Sequence, residues 1–247
     1  MTQKIFDVIE IVESFPAVYI KRLNLLVITD LHLGYETAAA EEGMFIPKIQ
    51  YKKTIEDLKL IFKKHEGSRF LINGDVKHEF SETGYHEYKE VSNFFKFVKQ
   101  FSNDITVVKG NHDTFISRIT RKFDINLYDK YAEENFLFIH GHKNLNLSKV
   151  RQQYIILGHE HPSIALYSEL GVKEKIKCFL FGEINSKNLL VLPAFSYFAQ
   201  GSDVNLIPHD ELLSPVLREI DVDSLRAVGI IEREKCLSFP EIGVLRE

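Results

Sequence analysis

The chain has 247 residues, 45% apolar and 27% charged, with a formal net charge of -4. That is ordinary globular composition, long enough for a full core, and it excludes disorder for the bulk of the chain. No apolar stretch approaches the ~18–20 residues of a membrane span, and the acidic balance excludes broad coating of duplex DNA. Met1 to Glu13 mixes Lys4 with Asp7, Glu10 and Glu13 and lacks the basic start and apolar core of a secretory signal. Cys178 and Cys236 stand far apart and form no disulfide framework, which fits a reducing cytoplasm.

In chain order, Ala17–Ile20 and Leu23–Ile28 flank Lys21-Arg22 and predict a hairpin. The run Leu25–Ile28 ends in Thr29-Asp30-Leu31-His32. Segment 36–47 is open to three readings: a rim over a site, a dimer contact, or a loop packed by Phe45 and Ile46. After Pro47, the spacing of Tyr51, Ile55, Leu58 and Phe62 predicts a helix. Phe70–Ile72 ends in Asn73-Gly74-Asp75. A second helical face follows at Tyr88, Val91, Phe95 and Val98. Ile105–Val108 then ends in Lys109-Gly110-Asn111-His112-Asp113, Phe136–Ile139 in His140-Gly141-His142, and Tyr154–Leu157 in Gly158-His159-Glu160-His161. Lys177–Phe181 and Asn188–Leu192 read as a hairpin around Asn185-Ser186-Lys187. In the tail, Val228–Ile231 and Ile242–Leu245 are expected to pack as strands.

Five times, then, a short apolar run leads directly into metal-ligand residue types. Continuous apolar runs read as strands covered on both faces, and ligands in open α/β sheets bind outside the carboxyl ends of strands. Strands alternating with helices argue an α/β fold, with two sheets face to face and helices outside. Two divalent ions held together can clamp a phosphate and activate water. They need a bridging carboxylate; Asp75 comes straight after Gly74, where a glycine lets the backbone turn sharply. Neutral histidine and asparagine donors keep the charge low. On an extended strand end, Asp30-x-His32 and His159-x-His161 each put two side chains on one side. Asn111 offers an oxygen, His112 a proton, and Asp113 a carboxylate to orient that imidazole. Isolated, each motif has a bland reading as a turn or a solvated loop; their joint occurrence at five strand ends points to one shared site. His65, His86 and His209 sit in polar contexts and read as solvated surface.

These motifs, in this order, resemble the calcineurin-like metallophosphoesterase superfamily over roughly residues 17–205. The longer strings Asp30-Leu31-His32-Leu33-Gly34-Tyr35-Glu36, Gly74-Asp75-Val76-Lys77-His78-Glu79-Phe80 and Leu157-Gly158-His159-Glu160-His161-Pro162 are similar to archaeal SbcD-related and bacterial DNA ligase-associated phosphoesterases. The resemblance implies a four-layer α/β/β/α sandwich of two mixed sheets flanked by helices. Residues 1–247 would form a single domain, with the tail 206–247 packed on the core. It implies that Asp30, His32 and His161 hold one ion, that Asp75 bridges, and that Asn111, His140 and His159 hold the second. The ions would be two Mn2+, with Fe2+, Zn2+ or Ni2+ as substitutes. A metal-bound hydroxide would attack phosphorus, His112 would protonate the leaving oxygen and Asp113 would support it. His142, His78 and Lys77 are expected to contact substrate; Val76-Lys77-His78 departs from the general superfamily pattern.

The expected activity is phosphodiester hydrolysis on nucleotides or on single-stranded or short nucleic acid. No dense arginine cluster suits a doubly charged monoester, Arg118 and Arg121 being the nearest candidates. The rivals are a phosphomonoesterase, a cyclic-nucleotide phosphodiesterase, and a metal-binding interaction scaffold without turnover. An intact His112 argues against the scaffold. A homodimer is compatible with the sequence, and no membrane association is expected.

Overall fold

A computed structural model describes residues 3–80, 83–199, 201–231 and 233–246. Seven strands lie side by side in chain order: β1 (Lys4–Ile5), β2 (Ile9–Ile11), β3 (Val18–Ile20), β4 (Leu25–Ile28), β5 (Arg69–Ile72), β6 (Ile105–Val108) and β7 (Asn126–Tyr128). The first four are antiparallel neighbours; β4 to β7 run parallel. Parallel pairing requires crossovers. These carry α1 (Tyr35–Glu41) and α2 (Gln50–Lys64) between β4 and β5, α3 (Tyr85–Val98) between β5 and β6, and α4 (Ser117–Lys122) before β7. The expected hairpin over 17–28 is present.

The second sheet is built from β8 (Tyr131–Glu133), β9 (Phe136–Phe138), β10 (Tyr154–Leu157), β11 (Pro162–Tyr167), β12 (Lys173–Ile184), β13 (Lys187–Val191), β14 (Ser202–Asp203), β15 (Arg226–Ile231) and β16 (Lys235–Glu241). Its spatial order is β14-β11-β12-β13-β10-β9-β8, with β15 and β16 joining through β12. β9, β10 and β13 are parallel. The β12–β13 hairpin closes on Asn185 and Ser186, both at positive φ (51° and 60°), as a two-residue loop with right-handed strand twist requires.

Alternation explains why β4, β5 and β6 read as unbroken apolar runs. Val27, Leu71 and Val108 face inward and meet Phe138, Ile156, Phe179 and Leu190 of the second sheet. Leu26, Ile28, Phe70 and Ile72 face outward and pack under Leu58 and Phe62 of α2 and Val91, Phe94 and Phe95 of α3. Each such side chain contributes on the order of 1.5–3 kcal/mol by leaving water. The molecule is thus α/β, with two mixed sheets face to face. The outer face of the second sheet differs from the expectation of flanking helices. It is covered by Leu212, Val216, Leu217, Ile220, Val222 and Leu225, which lie on or flank single turns of 3-10 helix over His209–Glu211, Leu217–Glu219 and Val222–Ser224. Pro208 and Pro215 interrupt any longer helix there. Val228–Ile231 lies in β15 as expected, but Ile242–Leu245 is a 3-10 turn, not a strand. Phe45 is 90% exposed, so the loop of segment 36–47 is not packed by that ring. Among the described residues, no helix is long and apolar enough to cross a membrane.

Candidate metal centre

The carboxyl ends of β4, β5 and β6 and of β9 and β10 open toward one another at a single edge of the sandwich. The local backbone there is not the extended one that the x-spacing suggested. Asp30 and His32 (φ 53° and 47°), Asp75 (52°), and His159 and His161 (69° and 50°) all adopt the left-handed conformation that non-glycine residues rarely occupy. Their side chains converge because each chain kinks at alternate residues past the strand end, not because of strand pleating. Backbone bonds hold the kinks: Asp30 N–H donates to the Gly74 carbonyl at 3.0 Å and His32 N–H to the Asp75 carbonyl at 3.0 Å. Gly74, at φ 101°, is required twice over, since a Cβ there would run into the His140 ring.

Two donor groups result. In the first, His161 Nε2 lies 3.0 Å from Asp30 Oδ1 and 3.4 Å from His32 Nε2. In the second, His140 Nε2 lies 3.1 Å from Asp75 Oδ2, and His159 completes the set. Asn111 Oδ1 is 3.1 Å from His140 Nε2. Asp75 Oδ2 also lies 4.0 Å from His32 Nε2, between the groups. Asp30 Oδ2 is fixed by the Thr29 hydroxyl (2.7 Å) and the His159 N–H (3.0 Å). Its Oδ1 is buried without a hydrogen-bond partner although His161 is near, so the two atoms face a common point as acceptors.

The electrostatics suit a cation. Burial opposes charge on Asp30, yet His161, His140 and His32 hold its carboxyl well below the ordinary range. Burial likewise raises Asp75, but His140 outweighs it and the carboxyl sits at about 2. Burial and His161 push His32 down to about 3, and burial and His140 push His159 down to about 4. Burial would also lower His140, but Asp75 and Asp30 dominate and raise it to about 9. His140 therefore holds a proton between two carboxylates, and a divalent ion bound there would displace it. The residues fit a metal.

Of the remaining candidates, His112 sits beside the cluster, its Nε2 3.9 Å from Asp75 Oδ2. Its Nδ1 donates to the His78 carbonyl. Asp113 does not touch that ring, contrary to expectation; its buried carboxylate accepts backbone N–H groups of Asp75, Val76 and Gly110 at 2.8, 2.9 and 2.9 Å. Burial and the Asp75 charge push it up to about 7. His78 stacks on His112 (ring centroids 5.5 Å apart, 22°) and, with His32 and His112, forms a third compact group of nitrogens. His142 lies 5.3 Å from the His140 ring, its Nδ1 buried and unpartnered. Lys77 is the clear correction: the side chain is fully buried, donates to the Glu79 carbonyl and lies 3.7 Å from Glu87, so it braces its own loop and cannot reach substrate.

Three contributors escaped sequence reasoning. Asn73, fully buried, donates to the Ile139 and Ile156 carbonyls at the ends of β9 and β10. Its own carbonyl accepts from His140 Nδ1 at 2.9 Å, leaving Nε2 toward the cluster. The signal was a polar residue ending an apolar run. Glu160, between two candidate ligands, turns away and accepts the N–H groups of Leu213 and Ser214 at 3.2 and 2.8 Å. Phe80, 58% exposed, lies over His112 with ring centroids 3.7 Å apart; nothing in its spacing marked it.

Comparison with known proteins bears on the fold and the family. No curated protein sequence matches the chain. Among solved structures it is similar to the nuclease MPE of Pseudomonas putida (19% identity, TM-score 0.61, 90% of this chain and 91% of that one). A looser likeness is to a Vps29 single mutant of Entamoeba histolytica (17% identity, TM-score 0.37, 87% and 98%). The first likeness supports the fold; the second is too loose to bear on function. The sequence profile of calcineurin-like phosphoesterases matches residues 23–214, which takes in every candidate ligand. The chain belongs to the calcineurin-like phosphoesterase family.

Proposed function

We propose that the chain is a two-metal phosphodiesterase acting on nucleic acid or nucleotides. The observation that carries this reading is the convergence of Asp30, His32, Asp75, Asn111, His140, His159 and His161 on one pocket, with His112 beside it. Asp30, His32 and His161 would hold one ion, Asn111, His140 and His159 the other, and Asp75 both. Bound there, divalent ions supply Lewis acidity and an acidified water for in-line attack at phosphorus. Mn2+ is the ion assigned, because the donors mix oxygen with imidazole; Fe2+, Zn2+ and Ni2+ compete for the same imidazoles.

The chain's own residues do the rest. The Asn73 carbonyl fixes the His140 tautomer. Asp113 ties the Asp75 loop to the Asn111 loop. His112, with Nδ1 donating to the His78 carbonyl, presents Nε2 to deliver a proton to the leaving oxygen, and Phe80 covers one face of that ring. His142 and the His78 side chain face the substrate. A diester is favoured over a monoester because the sequence offers no dense arginine cluster for a doubly charged group, and Arg118, one of its two nearest candidates, lies over the Phe115 ring. The whole chain acts as one catalytic domain, and its two free cysteines fit the cytoplasm.

The test is hydrolysis of bis-p-nitrophenyl phosphate against p-nitrophenyl phosphate after chelator treatment and Mn2+ addition. Mn2+-dependent diester turnover lost in Asp75→Ala is the expected result. A monoester preference would move the assignment to a phosphatase. No turnover with two ions bound would overturn it in favour of a scaffold.

A further inference from the structure

Beside the metal centre, on the Asn111 side, a cleft of about 280 Å3 opens between the end of β6 and the loop after β9. Asn111 and His142 form its wall toward the metal centre; Lys109, Lys143 and Thr114 also line it, with Asp129 as the single carboxylate. Among the described residues, neither lysine amine has a hydrogen-bond or ion-pair partner. An amine that binds nothing in the fold is left for a ligand. The His142 imidazole, buried at Nδ1 without a partner among the described residues, adds a neutral polar atom. Two lysines against one aspartate leave the cleft positive in a chain whose formal charge is -4.

From this arrangement we infer that the cleft is a subsite for the phosphate flanking the scissile one, so that the centre takes a single strand of nucleic acid. The inference rests on the phosphodiesterase reading and deepens it. A monoester or a cyclic nucleotide carries no second phosphate, and for such substrates Lys109 and Lys143 would have nothing to neutralise. The cleft's volume lies at the lower end of small-ligand pockets, room for a phosphate and part of a sugar. Lys109 sits immediately past β6, two residues before Asn111, so the subsite and the metal centre share one rigid strand end. Duplex is disfavoured because the two lysines form a notch and the net charge supplies no wide basic face.

The experiment measures binding before catalysis. A fluorescein-labelled single-stranded oligonucleotide is titrated with chelator-treated protein from 50 to 200 mM KCl. The variants are Lys109→Gln/Lys143→Gln, Lys109→Arg/Lys143→Arg, and Lys52→Gln on the exposed face of α2 as control. Single strands lose affinity with a slope of about 0.7 per neutralised phosphate, so loss of the flanking-phosphate subsite should flatten the log–log salt slope by about 0.7. The Gln pair should also weaken binding about tenfold, and the Arg pair should retain both slope and affinity. With Mn2+ restored, the Gln pair should lower kcat/KM for the oligonucleotide about tenfold relative to that for bis-p-nitrophenyl phosphate. An unchanged slope and ratio in the Gln pair would overturn the subsite. A slope flattened in the Gln pair, with a wild-type protein that hydrolyses neither ester, would instead overturn the catalytic reading and leave the subsite standing.

Discussion

Asp75 and Asp113 clasp each other's loops: Asp113 Oδ2 accepts the Asp75 N–H at 2.8 Å, while Asp75 Oδ1 accepts the N–H of His112, next to Asp113, at 2.9 Å. Asp113→Asn puts an NH2 group among N–H donors and removes charge from at least two hydrogen bonds. Leaving such buried groups unmatched costs about 1–3 kcal/mol. Calorimetry should show that loss in metal-free protein, with lower kcat from loosened loops. Because Asp113 does not touch the His112 ring, the pH-rate profile should keep its shape. A moved limb would mean that Asp113 does tune that imidazole.

His112→Ala should leave metal stoichiometry intact and lower kcat about 10²–10⁴-fold, the usual range for a lost general acid. The deficit should be larger for a diester with an alkyl leaving group than for a p-nitrophenyl ester, whose leaving group departs unprotonated. Equal deficits for the two esters would remove the proton-donor role.

Asn73→Ala deletes the amide that ties the ends of β9 and β10 to β5. The His140 Nδ1 contact to the main-chain carbonyl survives only if the loop stays in place. Outer partners of ligating histidines typically contribute 10–100-fold in metal affinity, and calorimetric titration with Mn2+ should register a loss in that range. Wild-type affinity in the folded variant would show that the loop is held by its glycine turn alone.

Arg69 joins the two sheets at the edge away from the cluster, donating to Asp104 (2.7 Å), to Glu133 (2.7 and 3.0 Å) and to the Tyr131 hydroxyl (3.0 Å). Burial would raise the Glu133 carboxyl, but the Arg69 guanidinium and the Tyr131 hydroxyl hold it below its ordinary value. A depressed carboxyl pKa adds stability above the unfolded value, near pH 4.3, and loses it as pH falls further. Arg69→Ala should therefore lower the thermal midpoint at pH 7 by a modest amount. The gap to wild type should narrow on acidification below about pH 4. A gap independent of pH would assign the effect to packing of the Arg69 stem instead.

Strands β3 to β6 and helices α2 and α3 were legible because their apolar periodicities are uninterrupted, whereas the short β1, β2 and β7 and the helices α1 and α4 were not read. The candidate ligands were legible because each ends a buried run. What the sequence hid was conformation and direction. Asp30 and His32 share a side through left-handed kinks, which alternation in the sequence cannot distinguish from a pleat. Lys77 and His78 are adjacent in the sequence, yet one is buried against Glu87 and the other stacks on His112, because the turn after Gly74-Asp75 sends successive side chains to opposite sides. The covering of the second sheet was hidden for another reason. Single 3-10 turns broken by proline carry no period long enough to read.

The backward turn of Glu160 has a consequence for how this chain could be cut or fused. Its carboxylate grips the amides of Leu213 and Ser214, and the Ser214 hydroxyl reaches the Gly141 carbonyl at 2.9 Å. The loop carrying His159 and His161 and the loop carrying His140 are thus both moored to one stretch of the last forty residues. A cut before residue 212 would strip the apolar cover from the second sheet and slacken both moorings together. Damage to this segment would register at the candidate metal centre as well as in the melting curve.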